Sequence, residues 1–292
     1  MCRFIIYKGK PVTMATFVVE PANSLIVQSK ESKKRKLPVN GDGFGLGWYP
    51  LHDDPDPARI VSIEPAWSNQ NLLQLTSKVK SAHFFAHVRD ASTGMPVSQS
   101  NCHPFTYGRY MFMHNGRLDQ FSKFKRSILN SLSDKAFNLI KGNTDSEYAF
   151  ALFMDTINFA EHLSAEALKQ ALYETISKII QHRVANNANT NAFINFAVSD
   201  GVNTIVTRFA TDANTQPASL FYCQGSFAHD HDAEDLTIEP AQSGDIIICS
   251  EPLTETSDNW TKVERNNTVL IGENNSITVE QIPVPYQSGN IH

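Results

Sequence analysis

MCRFIIYKGK (1–10) opens the chain and carries two messages. RFIIY (3–7) is a short run of bulky and β-branched residues, the composition of a buried strand. Ahead of it stands Cys2, one residue behind the start methionine, where termini fray and an exposed thiol oxidises. The position gains a use if Met1 is removed, because Cys2 then carries a thiol and a free α-amino group. A thiol titrates near ~8.5 and an α-amine near ~8, so part of the amine is unprotonated at neutral pH. Such an amine can take the thiol proton, directly or through water, and return it to a leaving group. One residue would supply nucleophile and base. The alternative is an incidental cysteine after the start codon.

Outward from this strand, FGLGWY (44–49), RIVSIE (59–64), AHFFAHV (82–88) and RYMFMH (109–114) are further short apolar or alternating runs. The period then changes. Ala149, Phe150, Phe153, Ile157 and Ala160 fall at three- and four-residue steps, as do Leu168, Leu172, Ile176, Ile179 and Ile180, predicting two long helices. After Asn191 the strand signal returns in AFINFAVS, NTIVTRFA, SLFYC, GDIIICS, TVLIG and SITVEQI. Strands, two helices and strands again predict an α+β domain with helices segregated onto sheet faces. No linker or repeat divides the chain. The sequence predicts one domain over 1–285 and an unpacked tail over 286–292.

Composition removes several classes of function. A formal charge of −5 gives no general attraction to nucleic acid or an acidic membrane. The four cysteines (Cys2, Cys102, Cys223, Cys249) form no CxxC pair that would suggest zinc or a redox couple. FIIY is too short for a signal-peptide core or a membrane span, so a cytoplasmic protein without metal or cofactor is expected.

Four segments add chemistry to Cys2. In HVRDASTG (87–94) Arg89 follows directly on a strand, as a planar fork suited to a carboxylate or as a surface ion pair. In MHNG (113–116) the Asn115 side-chain amide and the Gly116 backbone N–H could face one developing negative charge; Asn-Gly is also the commonest two-residue hairpin turn. In GNTDSEYAF (142–150) Asp145 opens a helix, either to cap it or to hold an ammonium group. NGDGFGLGWY (40–49) has four glycines that allow close backbone approach or a tight turn.

Taken in order, Cys2, HVR, NCHPF, HNG and TDSE resemble the class II glutamine amidotransferases, which are N-terminal-nucleophile hydrolases. NSLIVQS (23–29), NGDGFGLGWY, NCHPFTYG (101–108) and SEPLT (250–254) resemble a narrower branch. That branch holds the ergothioneine-pathway γ-glutamyl hydrolases and the Dug-type subunits of glutathione degradation, to which the similarity extends over nearly the whole chain. The resemblance implies a four-layer αββα sandwich of two antiparallel sheets between helical layers. It implies Cys2 as nucleophile, Arg89 binding a γ-glutamyl α-carboxylate, Asp145 its α-ammonium, and Asn115 with Gly116 as oxyanion hole. His103 would order the glutamine-side loop or serve as a structural histidine.

The implied reaction is hydrolysis of a γ-glutamyl amide, such as glutathione, through a thioester, alongside a metallopeptidase-like partner subunit. With no synthetase domain read after SITVEQIP, a glutaminase subunit feeding ammonia to a separate synthetase is the alternative, and an inactive scaffold a third. Arg89 is followed by DASTG where sugar-forming relatives carry a tryptophan-containing loop, so Ser92 and Thr93 receive no role. The basic run SKESKKRK (29–36), the histidine–acid run AHDHDAED (228–235) and HDDPDP (52–57) read as solvated loops, and residues 24–42 as a cover for the site. Cys102 and His103, as strand neighbours, would point to opposite faces.

Overall fold

RFIIY extends into an eleven-residue strand, β1 (Arg3–Thr13), whose alternation sets the layers of the molecule. Ile5 and Tyr7 face one way, onto Phe17, Leu25 and Phe84. Phe4 and Ile6 face the other, onto Phe85, Met113 and Val206. Both faces are apolar, so β1 lies in the middle of a sheet that is covered on both sides.

The computed structural model describes residues 2–31, 39–52, 54–91, 96–212, 214–230, 235–255 and 257–283. Met1, the tail 286–292, most of the basic run and the centre of the histidine–acid run lie outside them, as do Ser92 and Thr93. After β1 come α1 (Ala15–Val18), α2 (Leu25–Lys30), β2 (Phe44–Trp48), β3 (Ala58–Ser62), α3 (Gln70–Lys78) and β4 (Lys80–Val88). There follow β5 (Phe105–Tyr107), β6 (Tyr110–Leu118), α4 (Phe121–Ser131), α5 (Asp134–Leu139), α6 (Asp145–Thr156) and α7 (Ala165–Ala185). The chain then forms β7 (Ala192–Ser199), β8 (Thr204–Ala210), β9 (Phe221–Asp230) and β10 (Asp235–Pro240). Last come β11 (Asp245–Cys249), β12 (Thr261–Lys262), β13 (Asn267–Ile271) and β14 (Ile277–Gln281).

One sheet has the order β10-β9-β11-β1-β4-β2-β3, with β12 also on β9; the other runs β14-β13-β8-β7-β6-β5. Every strand pair is antiparallel. Three apolar clusters coincide with the three interfaces of a stack. Phe17, Leu25 and Leu72 from α1–α3 cover the first sheet. Phe4, Ile6, Met111 and Met113 lie between the sheets. Phe124, Phe150, Phe153 and Ile176 from α4, α6 and α7 cover the second. The four-layer αββα sandwich expected from the sequence is therefore the fold.

Helix α6 starts at Thr144, whose hydroxyl accepts from the Glu147 N–H at 3.2 Å, and its first turn carries Asp145 and Glu147. That pattern satisfies an otherwise unpaired donor and suits the positive end of the helix. The helix stops at Thr156, short of the Ala160 expected from periodicity, because Asn158 and Phe159 turn left-handed (φ 48° and 54°). A larger difference concerns MHNG. Asn115 and Gly116 are not a hairpin turn: β6 runs straight through them to Leu118, with Asn115 opposite Asn195 and Gly116 opposite Ile194.

Candidate active site

The site forms where β1 begins and β4 and β11 end. The pairing of Arg3 with Val88 and of Phe44 with Val88 brings Cys2, Arg89 and Gly43 to one edge of the first sheet. Backbone bonds lock this edge: Arg89 N–H donates to the Gly43 carbonyl at 2.8 Å and Asp42 N–H to the Arg89 carbonyl at 3.2 Å. The Asp42 carboxylate accepts the Ala91 N–H at 2.8 Å. Part of the glycine-rich segment thus serves as backbone support for Arg89.

Cys2 is half-buried, and its thiol points to the Asp90 carbonyl at 3.8 Å. Burial pushes the thiol's pKa up, and the hydrogen bond to the Asp90 carbonyl and, less, the Arg89 charge draw it back only in part. Little thiolate forms unaided at neutral pH, so this thiol needs a base at hand to act as a nucleophile.

Arg89 is only 4% exposed, which removes the surface ion-pair alternative. Nη2 donates to the Pro96 carbonyl at 3.4 Å, while Nη1 is buried without a hydrogen-bond partner. A buried guanidinium donor left open costs free energy unless an acceptor fills the space. An incoming carboxylate is the natural complement.

His103 is buried against His87, ring centroids 4.3 Å apart, and against Phe105 at 4.6 Å. Neither ring nitrogen of His87 or His103 makes a hydrogen bond of normal geometry. Burial holds His103 well below the usual histidine range and pushes His87 down to about 3. Both rings are neutral at pH 7 and can offer one donor and one acceptor each, but no charge. Cys102 does not pair with His103. It lies outside any strand and its thiol donates to the Ser62 and Ser98 carbonyls at 3.5 Å.

The second sheet contributes Asn115 and Gly116, and the start of helix α6 contributes Asp145. Along β6, Met111 and Met113 face the space between the sheets, so Asn115 does too. Its amide crosses to the first sheet, Nδ2 lying 3.2 Å from Ser250 Oγ. His114 points the opposite way, with Nδ1 2.9 Å from Ser146 Oγ and Nε2 2.9 Å from the Phe193 carbonyl. Gly116 has no room for a side chain, since a Cβ would meet the Phe193 carbonyl and His114 Nε2. Asp145 accepts the Leu118 N–H at 2.6 Å and the Ser146 N–H at 2.8 Å. Asp145 has no hydrogen bond to Cys2, Arg89 or Asn115, and it stays half-buried beside the end of β6.

Two residues that the sequence reading quoted only within SEPLT (250–254), without a role, complete the frame. Ser250 and Glu251 follow β11 and flank the start of β1. The Phe4 N–H donates to Ser250 Oγ at 3.0 Å, and the Ser250 N–H to the Phe4 carbonyl at 3.1 Å. Glu251 pairs with Arg3 at 2.7 Å, and Arg3 Nη1 donates to the Cys2 carbonyl at 3.0 Å. Their available signal was a polar Ser-Glu pair directly after the apolar run IIIC.

Residues 18–288 match the model of the glutamine amidotransferases class-II. The chain belongs to that family. The matched span begins after β1, so Cys2 lies outside it.

Among curated relatives, this class II amidotransferase is 40% identical to the probable glutamine amidotransferase DUG3 of Saccharomyces cerevisiae, over 93% of this chain and 82% of that protein. It is 32% identical to the gamma-glutamyl-hercynylcysteine sulfoxide hydrolase of Mycolicibacterium smegmatis, over 41% of this chain and 52% of that one. Among solved structures, the glutamine aminotransferase class-II domain protein from Silicibacter pomeroyi superposes with a TM-score of 0.66 at 23% identity. It covers 96% of this chain and 99% of that one. The glutamine phosphoribosylpyrophosphate amidotransferase from B. subtilis gives 0.58 at 15% identity, over 98% of this chain and 50% of that one. These two likenesses are likenesses of fold. No helix among the described residues is long and apolar enough to cross a membrane.

Proposed function

We propose that this amidotransferase hydrolyses the γ-amide bond of a γ-glutamyl compound, with Cys2 as nucleophile once its α-amino group is freed. The observation that carries the reading is the buried Arg89, its Nη1 open, at the strand ends that also carry Cys2 and that Asn115 approaches from the other sheet. Arg89 would take the α-carboxylate and Asp145 the α-ammonium, which fixes the glutamyl head. His103 would line the pocket as a neutral donor or acceptor.

The freed amine would accept the thiol proton, and the sulfur would attack the γ-carbonyl. Negative charge would collect on the oxygen against Asn115 and the Gly116 N–H. The amine would then return the proton to the leaving nitrogen as the C–N bond breaks, leaving a γ-glutamyl thioester on Cys2. Water, deprotonated by the same amine, would cleave the thioester, releasing glutamate and restoring the thiol. Arg89 and Asp145 hold only the head group, so the leaving amine is free to vary between ammonia and cysteinylglycine.

The resemblance to Dug-type subunits and the relative named as a γ-glutamyl hydrolase support glutathione or a related γ-glutamyl compound as substrate. We take residues 1–285 as one catalytic unit, working in the cytoplasm with a metallopeptidase-like partner. Glutamate release would be assayed from glutamine and glutathione, with and without such a partner, using protein lacking Met1 and a Cys2→Ser control. Cleavage of glutathione supports the reading. Cleavage of glutamine alone moves it to a glutaminase serving a synthetase. No glutamate from any γ-glutamyl amide overturns it.

A further inference from the structure

Ser250 lies between the strand that carries the nucleophile and the amide that faces the oxyanion. Ser250 and the Phe4 backbone exchange two bonds, Phe4 N–H to Ser250 Oγ at 3.0 Å and Ser250 N–H to the Phe4 carbonyl at 3.1 Å. Its carbonyl is held by Ser219 Oγ at 2.8 Å. Ser250 and Asn115 are both wholly buried. With Asn115 Nδ2 3.2 Å from Ser250 Oγ, the hydroxyl oxygen faces two donors. Meanwhile Asn115 Oδ1 is buried with no donor, and the Oδ1 of Asn195, opposite in the ladder, is equally unpartnered.

An asparagine amide has nearly the same shape either way round, and its orientation is decided by its hydrogen bonds. Turned over, Asn115 Oδ1 accepts the Ser250 hydroxyl proton, while Ser250 Oγ still accepts from Phe4. Nδ2 then occupies the position now held by an unpaired oxygen, with protons for an incoming anion. Only that orientation suits an oxyanion hole, because a carbonyl oxygen there would repel the developing charge.

We infer that Ser250 is a positioning residue: its hydroxyl fixes the Asn115 amide with Nδ2 toward the oxyanion and ties that amide to the strand two residues beyond Cys2. This rests on the amidase reading above. The donor is thereby set before substrate arrives, so the gain is confined to the transition state and not to substrate binding.

The test compares Ser250→Ala, Ser250→Thr and Ser250→Val on the full chain with Met1 removed. Thr and Val have the same shape and differ in the hydroxyl. Loss of the hydroxyl is expected to lower kcat about 10- to 10²-fold with KM within about twofold, and Thr to recover most of it. In an Asn115→Ala background the same substitution should cost nothing further, since the two residues act as a unit. Thr and Val equally active, or an undiminished loss in the Asn115→Ala background, would overturn the inference alone. A parent protein that releases no glutamate from any γ-glutamyl amide would overturn the reading beneath it.

Discussion

Arg3 and Glu251 form an ion pair at 2.7 Å with only 2% and 1% of the two side chains exposed, 248 residues apart in the chain. The same guanidinium donates to the Cys2 carbonyl at 3.0 Å. The pair therefore fixes the backbone of the candidate nucleophile against the segment after β11. Burying two charges is costly, and their attraction offsets that cost only while both are present.

Glu251→Ala removes the carboxylate that the buried Arg3 guanidinium faces. It should destabilise the fold by roughly 3–5 kcal/mol, read as a lower urea midpoint. Activity should fall further than the lost folded fraction explains, because the Cys2 backbone loses its tether. The double variant Arg3→Met/Glu251→Met should regain part of the stability but not the activity.

Arg89→Lys tests the glutamyl head group. Lysine keeps the charge and loses the planar two-pronged donor. KM for γ-glutamyl substrates should rise on the order of 10- to 10²-fold with kcat less affected. Steady-state kinetics read this directly, and an unchanged KM would remove Arg89 from carboxylate binding.

The layers were legible in the sequence because period-2 runs such as RFIIY and AHFFAHV carry apolar residues on both faces. Candidate residues were legible one at a time, but burial and pairing decided between alternatives only for Arg89 and for Asn115 with Gly116. Arg89 read as readily as a surface ion pair until its burial was seen, and Asn-Gly read as a turn until β7 was seen paired through it. Helix α4 escaped notice because its buried residues reduce to Phe121, Phe124 and Ile128 among charged and polar neighbours. Ser250 and Glu251 owe their roles to partners 135 and 248 residues away, a relationship no local spacing records.

Stability should fall in mild acid. His83 and His87 are buried and pushed down to about 3, and His103 is held well below its usual range. Above about pH 6.5 these histidines are neutral in both states and contribute no slope. Below it the unfolded chain binds a proton at each site and the folded chain does not, so folding loses about 1.4 kcal/mol per pH unit per histidine until the folded pKa is reached. Urea midpoints should drop between pH 7 and pH 5, and His83→Gln should make the slope shallower. A flat profile over that range would show these rings to be protonated within the fold.

If Cys2, with its own amine freed, is the nucleophile of a glutamyl site, an affinity label for that site must bond to it. The measurement is the intact mass of the purified chain before and after incubation with a diazoketone analogue of glutamine. The expected product is a chain lighter by one methionine that gains a single adduct, with no adduct on Cys2→Ala. A chain that lacks Met1 and takes up no adduct, or that labels equally with Ala at position 2, would contradict it.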